Sequence, residues 1–484
     1  MYKESLEAIR GQLSWPRSDV SYIALAGDDE RYDSAELPIN ENGATLSSLR
    51  ARGYGAGRYS KYVIRRALLF LLPSFLARKL GHVDEDAAIP AATSTSYLNG
   101  LRGLAALLVA ISHYMSDHMW VNRSWGQTPA DYHLAQLPFV RLVYSGVFMV
   151  CVFFVLSGFA LTYSPLKKCH VGQSADAIAS LPSSVFRRPF RLFMPVIPTL
   201  VATTVAIQHQ GFYQHNGISL VGPVAGGVWS QVLFVWGSLV AIITTSSINT
   251  IIPPAWTLST EFQGSLLVFT CCLVFARIPA LVRILCVLAL LAFFLHQANW
   301  QFCLFLAGMI IGDIRQMRQK LPPLKGLKRK AASAASWMLL VVCLFVGGWP
   351  LDGNGYTAVG YSWLVWVPVF GMEPKHFFPS VAAVGLVVAL ENLPVLQRGL
   401  SSHSMLYLGE ISFGMYLVHW LVSRSFTCSL KHRMLQAGYS MSCAWTVTFV
   451  MMLVFSIWLG DVNWRLVDKK SVRFSHWLSK KLGI

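Results

Sequence analysis

A series of apolar stretches, each about long enough to cross a bilayer, constrains the fold of this chain more than any other feature. A helix of roughly 20 apolar residues spans the hydrocarbon core. Only 13% of the 484 residues are charged, against about 25% in an ordinary soluble domain. We therefore predict an all-α fold, a polytopic transmembrane helix bundle of about ten spans in the endoplasmic reticulum or plasma membrane. The predicted spans are 97–117, 143–165, 190–208, 255–276, 279–296, 298–314, 334–351, 376–392, 403–423 and 440–460.

The distribution of Lys and Arg predicts how the bundle is oriented. The net charge is +17, but the basic residues lie in short segments between apolar stretches, which favours a membrane protein over a nucleic-acid partner. With the N-terminus cytoplasmic, the inner connections carry far more Lys and Arg than the outer ones. Both termini are therefore predicted to be cytoplasmic. Making 228–247 a span would reverse this asymmetry, so we expect a re-entrant or interfacial helix on the outer face.

Three segments follow from this division. Residues 1–90 are predicted to be cytoplasmic and to contain an interfacial amphipathic helix at 62–80, because that segment is basic at both ends and too short to cross. Residues 91–465 form the transmembrane domain, and 466–484 a basic cytoplasmic tail. The triplet beginning at Asn122 is a glycosylation sequon in the first outer loop, so we predict glycosylation of Asn122.

Arg102 and His113 are the first candidate pair for chemistry. They lie eleven residues apart in an otherwise apolar stretch, so one helix face carries both groups about 16 Å apart along the axis. Ionisable groups at membrane depth are costly and usually face a functional cavity. The structural alternative is a snorkelling arginine and an interhelical hydrogen bond from the histidine.

Three arginines lie at the cytoplasmic end of the third predicted span, namely Arg187, Arg188 and Arg191. Guanidinium groups bind phosphates through paired, planar hydrogen bonds, so this patch is a candidate anion site. Simple anchoring of a cytoplasmic helix end explains one or two of these arginines equally well.

Glu261 lies just inside the fourth predicted span, where an ionised carboxylate needs a partner. A carboxylate beside a histidine can orient the imidazole as a general base, so Glu261 could serve His113. The alternative is a structural ion pair with an arginine such as Arg102. A further polar face in the ninth predicted span consists of Ser412, Tyr416 and His419, which packing and interhelical hydrogen bonds could also explain.

Five motifs in a fixed order resemble the integral-membrane O-acyltransferases of the acyltransferase family 3 type. They are Leu-Arg-Gly-Leu-Ala-Ala with its following His113, Val152–Phe159, the pair Arg188 and Arg191, the segment from Trp256 to Glu261, and Ile411–His419. The similarity runs from Tyr97 to about Asp461.

The resemblance implies transfer of an acyl group, commonly acetyl from acetyl-CoA, to a hydroxyl of a small molecule such as a secondary metabolite or of a carbohydrate. It implies that His113 is essential, that Arg102 supports it, and that Arg188 and Arg191 engage the donor. From the motifs and the physical argument together we assign His113, Arg102 and Glu261 to catalysis and Arg187, Arg188 and Arg191 to acyl-CoA. We assign the remaining polar positions to substrate binding, namely Ser157, Trp256, Ser259, Ser412, Tyr416 and His419.

Two other classes of function remain open. A transporter could use the buried Arg, His and Glu side chains as a proton or substrate path, although repeated halves are not evident. A lipid receptor would need neither the arginines nor His113. The nine cysteines show no CxxC or Cys/His spacing, so no metal and no permanently bound cofactor is predicted, and acyl-CoA acts as a co-substrate.

Overall fold

The fold was examined in a computed structural model, which describes residues 71–80, 89–116, 119–209, 211–212, 221–249, 251–352 and 355–484. Within these ranges the chain is helical and contains no β-strand, which confirms the all-α prediction. The α-helices, numbered in chain order, are α1 Ser74–Lys79, α2 Ser96–Met115, α3 Met119–Asn122, α4 Gly146–His170, α5 Ser174–Phe193, α6 Val196–Gln208, α7 Val228–Thr244, α8 Trp256–Val274, α9 Ala280–His296, α10 Trp300–Gln319, α11 Gly326–Gly347, α12 Pro374–Leu390, α13 Pro394–Leu400, α14 His403–Val422, α15 Cys428–Gln436, α16 Met441–Asn463 and α17 Lys469–Lys481.

Fewer helices than predicted have the length and hydropathy of a membrane span. A helix coincides with each of the ten predicted stretches, but only six helical runs among the described residues are long and apolar enough. A seventh is reached if α12 and α13, which meet at an angle of 101°, form one broken span. The six runs are Gly146–His170, Ser174–Gln208, Pro253–Val274, Gly326–Gly347, His403–Gln436 and Met441–Lys481.

The difference arises at three of the predicted stretches. The helix α2 is polar because it carries Asn99, Arg102 and His113. The helix α9 has only 17 residues, and the last two turns of α10 carry Asp313 and two arginines. In α2 and α10 these polar positions lower the mean hydropathy of helices that nevertheless pack inside the bundle.

Two pairs of parallel helices form the centre of the bundle, and glycines allow their close approach. In the first pair, a Cβ added to Gly103 of α2 would lie 2.4 Å from the amide nitrogen of Gly409 in α14. In the second, a Cβ on Gly158 of α4 would lie 2.1 Å from the carbonyl oxygen of Phe305 in α10. Small residues at such crossings bring backbones into contact, which is the usual way transmembrane helices associate.

Two π-helical turns interrupt the C-terminal helices, at Ser423–Thr427 and Trp464–Asp468. The first joins α14 to α15 and the second joins α16 to α17. Each turn widens the helix by one residue and rotates the side chains that follow it. Such turns occur frequently at functional sites, and both lie next to the charged residues described below.

The amphipathic helix predicted at 62–80 is described only in its last part, since 62–70 lie outside the described residues. There α1 is fixed to α16 through its first residue. The Ser74 hydroxyl donates to Asp461 Oδ2 over 2.6 Å, and the Arg465 guanidinium bonds both Asp461 and the Leu72 carbonyl. The apolar side chains of Leu71, Phe75 and Leu80 remain exposed, as expected for a helix lying on a membrane surface.

The predicted basic tail at 466–484 is not an extended segment. It consists of the end of the second π-helical turn and α17, which packs antiparallel against α5 through Ser479 on Ser183 and Phe474 on Phe190. The segment 228–247 forms α7, a 17-residue helix that is shorter than the candidate spans.

Candidate active site

A buried ion pair joins α5 to α8 in the middle of the bundle. The Arg188 guanidinium bonds the Glu261 carboxylate, and the Ser157 hydroxyl of α4 also bonds this carboxylate. The side chains of Arg188 and Glu261 are 12% and 15% exposed. The ion pair is therefore largely, but not completely, withdrawn from the surface of the bundle.

Arg102 belongs to the same cluster. Its Nη2 donates to the Gly409 carbonyl over 2.7 Å, and the charges that act on it are those of Glu410, Asp468, Arg191 and Glu261. Asn99 Nδ2 donates to Glu410 over 2.9 Å. The three arginines 102, 188 and 191 are therefore balanced by three carboxylates rather than forming a purely basic patch.

Asp468 reaches this cluster because of the second π-helical turn, of which it is the last residue. The adjacent Lys469 places its ammonium group over the Trp464 ring, 4.0 Å from the centroid. The C-terminal segment thus contributes charged side chains to the same cluster as α2, α5 and α8.

His113 lies near the other end of α2, about 16 Å from Arg102 along the helix axis. Its ring is stacked on that of His419, with centroids 5.2 Å apart and planes inclined by 27°. It also lies nearly perpendicular to the Trp420 indole, with ring centroids 5.5 Å apart. His113 is only half-buried, whereas His419 is completely buried, so His113 is the more accessible of the two histidines.

His419 is itself unusual because neither of its buried ring nitrogens has a hydrogen-bond partner among the described residues. The carbonyl groups of Met415 and Tyr416, one turn earlier, lie close enough to interact with the ring. A buried polar group without a full partner is costly, and at functional sites it marks a position that a ligand can satisfy.

The structure corrects the expectation that Glu261 orients His113. Among the described residues no hydrogen bond or ion pair joins the two, and Glu261 is paired with Arg188 instead. The reason is the depth at which α8 begins. The hydroxyl of Tyr416, in the second half of α14, donates to the Pro254 carbonyl over 2.7 Å, so the chain enters α8 inside the bundle and carries Glu261 down to the arginines.

The predicted substrate positions fall into two groups. Tyr416, which also bonds the Thr257 hydroxyl over 2.7 Å, lies beside His419 with ring centroids 5.7 Å apart, and Ser157 lies at Glu261. The side chains at three other predicted positions make contacts within and between helices. Ser412 donates to the Gly409 carbonyl, Ser259 donates to Ile243 of α7, and Trp256 packs against Phe154 and Trp300.

Arg187 does not lie with the other two arginines of its motif. Its Nη1 is 2.6 Å from His476 Nδ1 and its Nε donates to the Ser183 carbonyl. It therefore fastens α5 to α17. Arg187 and Arg188 are consecutive in α5, so their side chains leave the helix about 100° apart and contact different neighbours.

Sequence reasoning missed several residues of the site. Trp420 and Arg424 adjoin the histidine pair, with the Arg424 guanidinium 4.4 Å from the Trp420 centroid, and Glu410 and Asp468 adjoin Arg102. The signal for Arg424 was available, since an arginine five residues after His419 falls in an apolar helix. No such signal existed for Asp468, because no sequence pattern predicts the π-helical turn that carries it.

The predicted glycosylation site lies in the loops that follow α2. Asn122 ends α3, and its carbonyl accepts hydrogen bonds from Leu351 and Asp352. The hydroxyl of Ser124, the third residue of the sequon, is close to Gln127 Oε1 at 3.4 Å. Glycosylation of Asn122 remains a prediction.

Comparison with known proteins places the five motifs inside one matched family domain. The family model for the acyltransferase domain of the acyltransferase-3 type matches residues 95–461. The O-acetyltransferase PaAT-1 of Phomopsis amygdali is 29% identical over 438 residues, covering 80% of this chain and 85% of that protein. Acyltransferase R4 of a Phoma species is 22% identical, covering 69% and 84%, and acyltransferase MdmB of Streptomyces mycarofaciens is 25% identical, covering 78% and 91%. No solved structure matches. The protein is thus an acyltransferase, and its chain belongs to the acyltransferase-3 family.

Proposed function

We propose that the protein is a membrane-bound O-acyltransferase that moves an acyl group, acetyl in the simplest case, from acyl-CoA to a hydroxyl of a small molecule or carbohydrate, with His113 as the general base. The observation that carries this proposal is the position of two sites along α2. The arginine cluster around Arg102 lies at one level, and the half-buried ring of His113 lies about 16 Å further along the same face.

The arginine cluster suits the anionic end of the donor. Coenzyme A carries phosphates, and arginines bind phosphate through charge-assisted hydrogen bonds. Arg188 is held by Glu261 in the absence of the donor, so a phosphate would have to replace the Glu261 carboxylate as the partner of Arg188. Arg191 shares the cluster without a hydrogen bond or ion pair among the described residues, and we assign it to the same phosphates.

The spacing of the two levels fits the arm that joins the phosphates of coenzyme A to its sulfur. This arm contains thirteen covalent bonds, and an extended chain advances about 3.5 Å for every three bonds, which gives roughly 15 Å. A donor with phosphates near Arg102 would therefore place its thioester near His113. On this proposal the arm threads into the bundle, and no relay of the acyl group is needed.

The chemistry at the thioester follows from the surroundings of His113. A neutral imidazole accepts the proton of the acceptor hydroxyl while the hydroxyl oxygen attacks the thioester carbonyl. The resulting tetrahedral intermediate collapses, the C–S bond breaks, and the imidazolium returns the proton to the departing thiolate. His419 stacks on the base and keeps its orientation.

The identity of the donor and the setting of the enzyme extend this proposal. The name of PaAT-1 as an O-acetyltransferase supports acetyl-CoA as the donor. We retain about ten spans, with both termini in the cytoplasm and residence in the endoplasmic reticulum or plasma membrane. The cytoplasmic supply of acyl-CoA matches an entrance on the side where α5 and α17 carry their basic residues.

The test is release of the free thiol of coenzyme A from acetyl-CoA by the full-length protein in lipid nanodiscs, with water or added alcohols as acceptor. The matched pair of variants is His113→Ala and His432→Ala, since His432 is exposed on α15. We expect His113→Ala to lose release by at least ~100-fold, whereas His432→Ala stays at the wild-type rate. Full activity in His113→Ala would remove the proposed base, and solute flux without thiol release would favour a transporter.

A further inference from the structure

Resting on the proposed acyl transfer, we propose that Arg424 is the cation that stabilises the oxyanion formed beside His113. The chemical class it would recognise is the carbonyl oxygen of the acyl thioester, which gains negative charge as the acceptor attacks.

The geometry around Trp420 supports this assignment. The rings of His113 and Trp420 lie nearly perpendicular, with centroids 5.5 Å apart, and the Arg424 guanidinium carbon lies 4.4 Å from the centroid of the same indole. His113 and Arg424 thus contact the same Trp420 indole. The charge of Arg424 is also one of those that act on His113.

Arg102 is too far away to take the same role. It is eleven residues from His113 on one helix, which corresponds to about 16 Å, and its guanidinium is anchored on the Gly409 carbonyl. The charges that act on Arg102 come from the arginine cluster, and those that act on His113 come from His419 and Arg424. Two arginines therefore serve two ends of one elongated site.

The backbone at Arg424 is specialised as well. Arg424 is the second residue of the π-helical turn Ser423–Thr427, and Ser423 and Thr427 are each only 1% exposed. Arg424 itself is 8% exposed. A buried arginine in a membrane-embedded helix is costly and is retained mainly where it has a function, and π-helical turns are concentrated at such positions.

The proposed step balances without any further reactant. As His113 removes the hydroxyl proton, the acceptor oxygen forms a bond to the thioester carbon, and the electrons of the C=O bond move to its oxygen next to Arg424. Collapse restores the C=O bond and breaks the C–S bond. The thiolate leaves and takes the proton from the imidazolium of His113. A preorganised donor at the oxyanion stabilises the transition state more than the ground state.

A purely structural role is the competing explanation, in which Arg424 serves only to pack on Trp420 through a cation–π contact. The two explanations differ in whether a small soluble cation can restore the activity of a variant that lacks the guanidinium. If the guanidinium acts on the oxyanion, methylguanidinium entering the space left by Arg424→Ala should restore part of the rate. If Arg424 only supports the fold, it should not.

The experiment measures thiol release from acetyl-CoA by the full-length protein in nanodiscs, for the wild type, His113→Ala, Arg424→Gln, Arg424→Lys, Arg424→Ala and the control Arg433→Gln. Arg433 is exposed on α15. We expect Arg424→Gln to lower kcat about 10²- to 10³-fold with KM for acetyl-CoA changed less than twofold. Arg424→Lys should keep more activity than Arg424→Gln, and methylguanidinium should accelerate Arg424→Ala but not His113→Ala.

The outcomes separate the two proposals. An active wild type, an inactive His113→Ala and an Arg424→Gln variant within threefold of the wild type would overturn the role of Arg424 and leave the proposed function standing. Lost activity in Arg424→Ala that methylguanidinium does not restore would also overturn it. A wild type that releases no thiol would overturn the proposed function. Should Arg424→Gln fail to elute as a monodisperse protein, the response of Arg424→Ala to methylguanidinium decides, and a rate that methylguanidinium does not raise overturns the role.

Discussion

The imidazole rings of His113 and His419 lie stacked between α2 and α14, with their centroids 5.2 Å apart. They come from helices that are more than 300 residues apart in the chain, and one ring is fully buried whereas the other is half-buried. The pair thus consists of one ring that can meet a substrate and one that supports it from behind.

We expect His419→Phe to make the protein more stable and less active. Phenylalanine keeps the aromatic contact but removes two buried nitrogens without hydrogen-bond partners, each of which costs about 1–3 kcal/mol. The thermal midpoint should rise, while thiol release from acetyl-CoA should fall at least ~10-fold, since the phenyl ring removes the ring nitrogens that a ligand in the site could bond. The control is His432→Phe on the surface. A less stable His419→Phe variant with wild-type activity would contradict this prediction.

We expect Glu261→Gln to strengthen the binding of acetyl-CoA. The substitution removes the carboxylate that holds Arg188, so a phosphate no longer competes with a negative charge for the guanidinium. Affinity should increase several-fold at low salt, with a steeper dependence on ionic strength. Isothermal titration with acetyl-CoA measures it, and Glu373→Gln, at an exposed carboxylate, is the control. Unchanged affinity would show that the phosphates bind elsewhere.

We expect Gly103→Ala to separate α2 from α14. The added methyl group would lie 2.4 Å from the Gly409 nitrogen and 2.5 Å from the Leu408 carbonyl carbon, so the helices must move apart and the bond from Arg102 to Gly409 must lengthen. Overpacking of this kind costs about 1–3 kcal/mol, visible as a lower thermal midpoint. Gly237→Ala in α7 is the matched control, because nothing lies within 4 Å of its added Cβ. Equal midpoints for the two variants would contradict the close crossing.

We expect the outer loop after α3 to lose stability in acid. Burial alone would raise the pKa of Asp131, but hydrogen bonds from Thr128 and Gln136 and the charge of Arg123 outweigh burial, so its pKa lies below the ordinary value. Because the folded pKa is depressed, the stabilisation is complete above the unfolded pKa of about 3.9 and is lost as the pH falls through the lower folded value.

The measurement for this loop is the thermal midpoint between pH 3 and pH 7 for the wild type and Asp131→Asn. The variant should be less stable than the wild type at pH 7, and the difference should shrink towards pH 3. Asp352→Asn, at an exposed position of the neighbouring loop, serves as the control. A difference that stays constant over this range would exclude the ionised carboxylate as its source.

The helices could be predicted from the sequence because an apolar stretch in a membrane must satisfy its backbone hydrogen bonds within itself, and an α-helix does so. The number of spans could not be predicted in the same way. Helices such as α2 owe their place to neighbours rather than to hydropathy, since Asn99 and Arg102 are satisfied by Glu410 and Gly409 of α14. Such polar residues lower the hydropathy of a helix and argue against a span, whereas in the bundle they form hydrogen bonds with the neighbouring helix.

The site was predicted in part for a related reason. The spacing of Arg102 and His113 gave one face of one helix, and helical periodicity is enough for that. Which residues contact Arg102 and His113 depends on the level in the bundle at which the neighbouring helices begin, and helical periodicity does not give that level. Glu261 was expected near His113 because α8 was assumed to start at the outer surface, but the bond from Tyr416 to the Pro254 carbonyl shows that it starts inside.

The close contact between α2 and α14 also has a consequence for biosynthesis. Asn99 and Glu410 are 311 residues apart in the chain, and translation at about 5–20 residues per second makes that interval roughly 15–60 s long. Throughout this delay the nascent α2 carries Arg102 and His113 in the membrane without its final neighbour. The translocation machinery or a chaperone must shelter that helix until the ribosome has delivered the second half of the site.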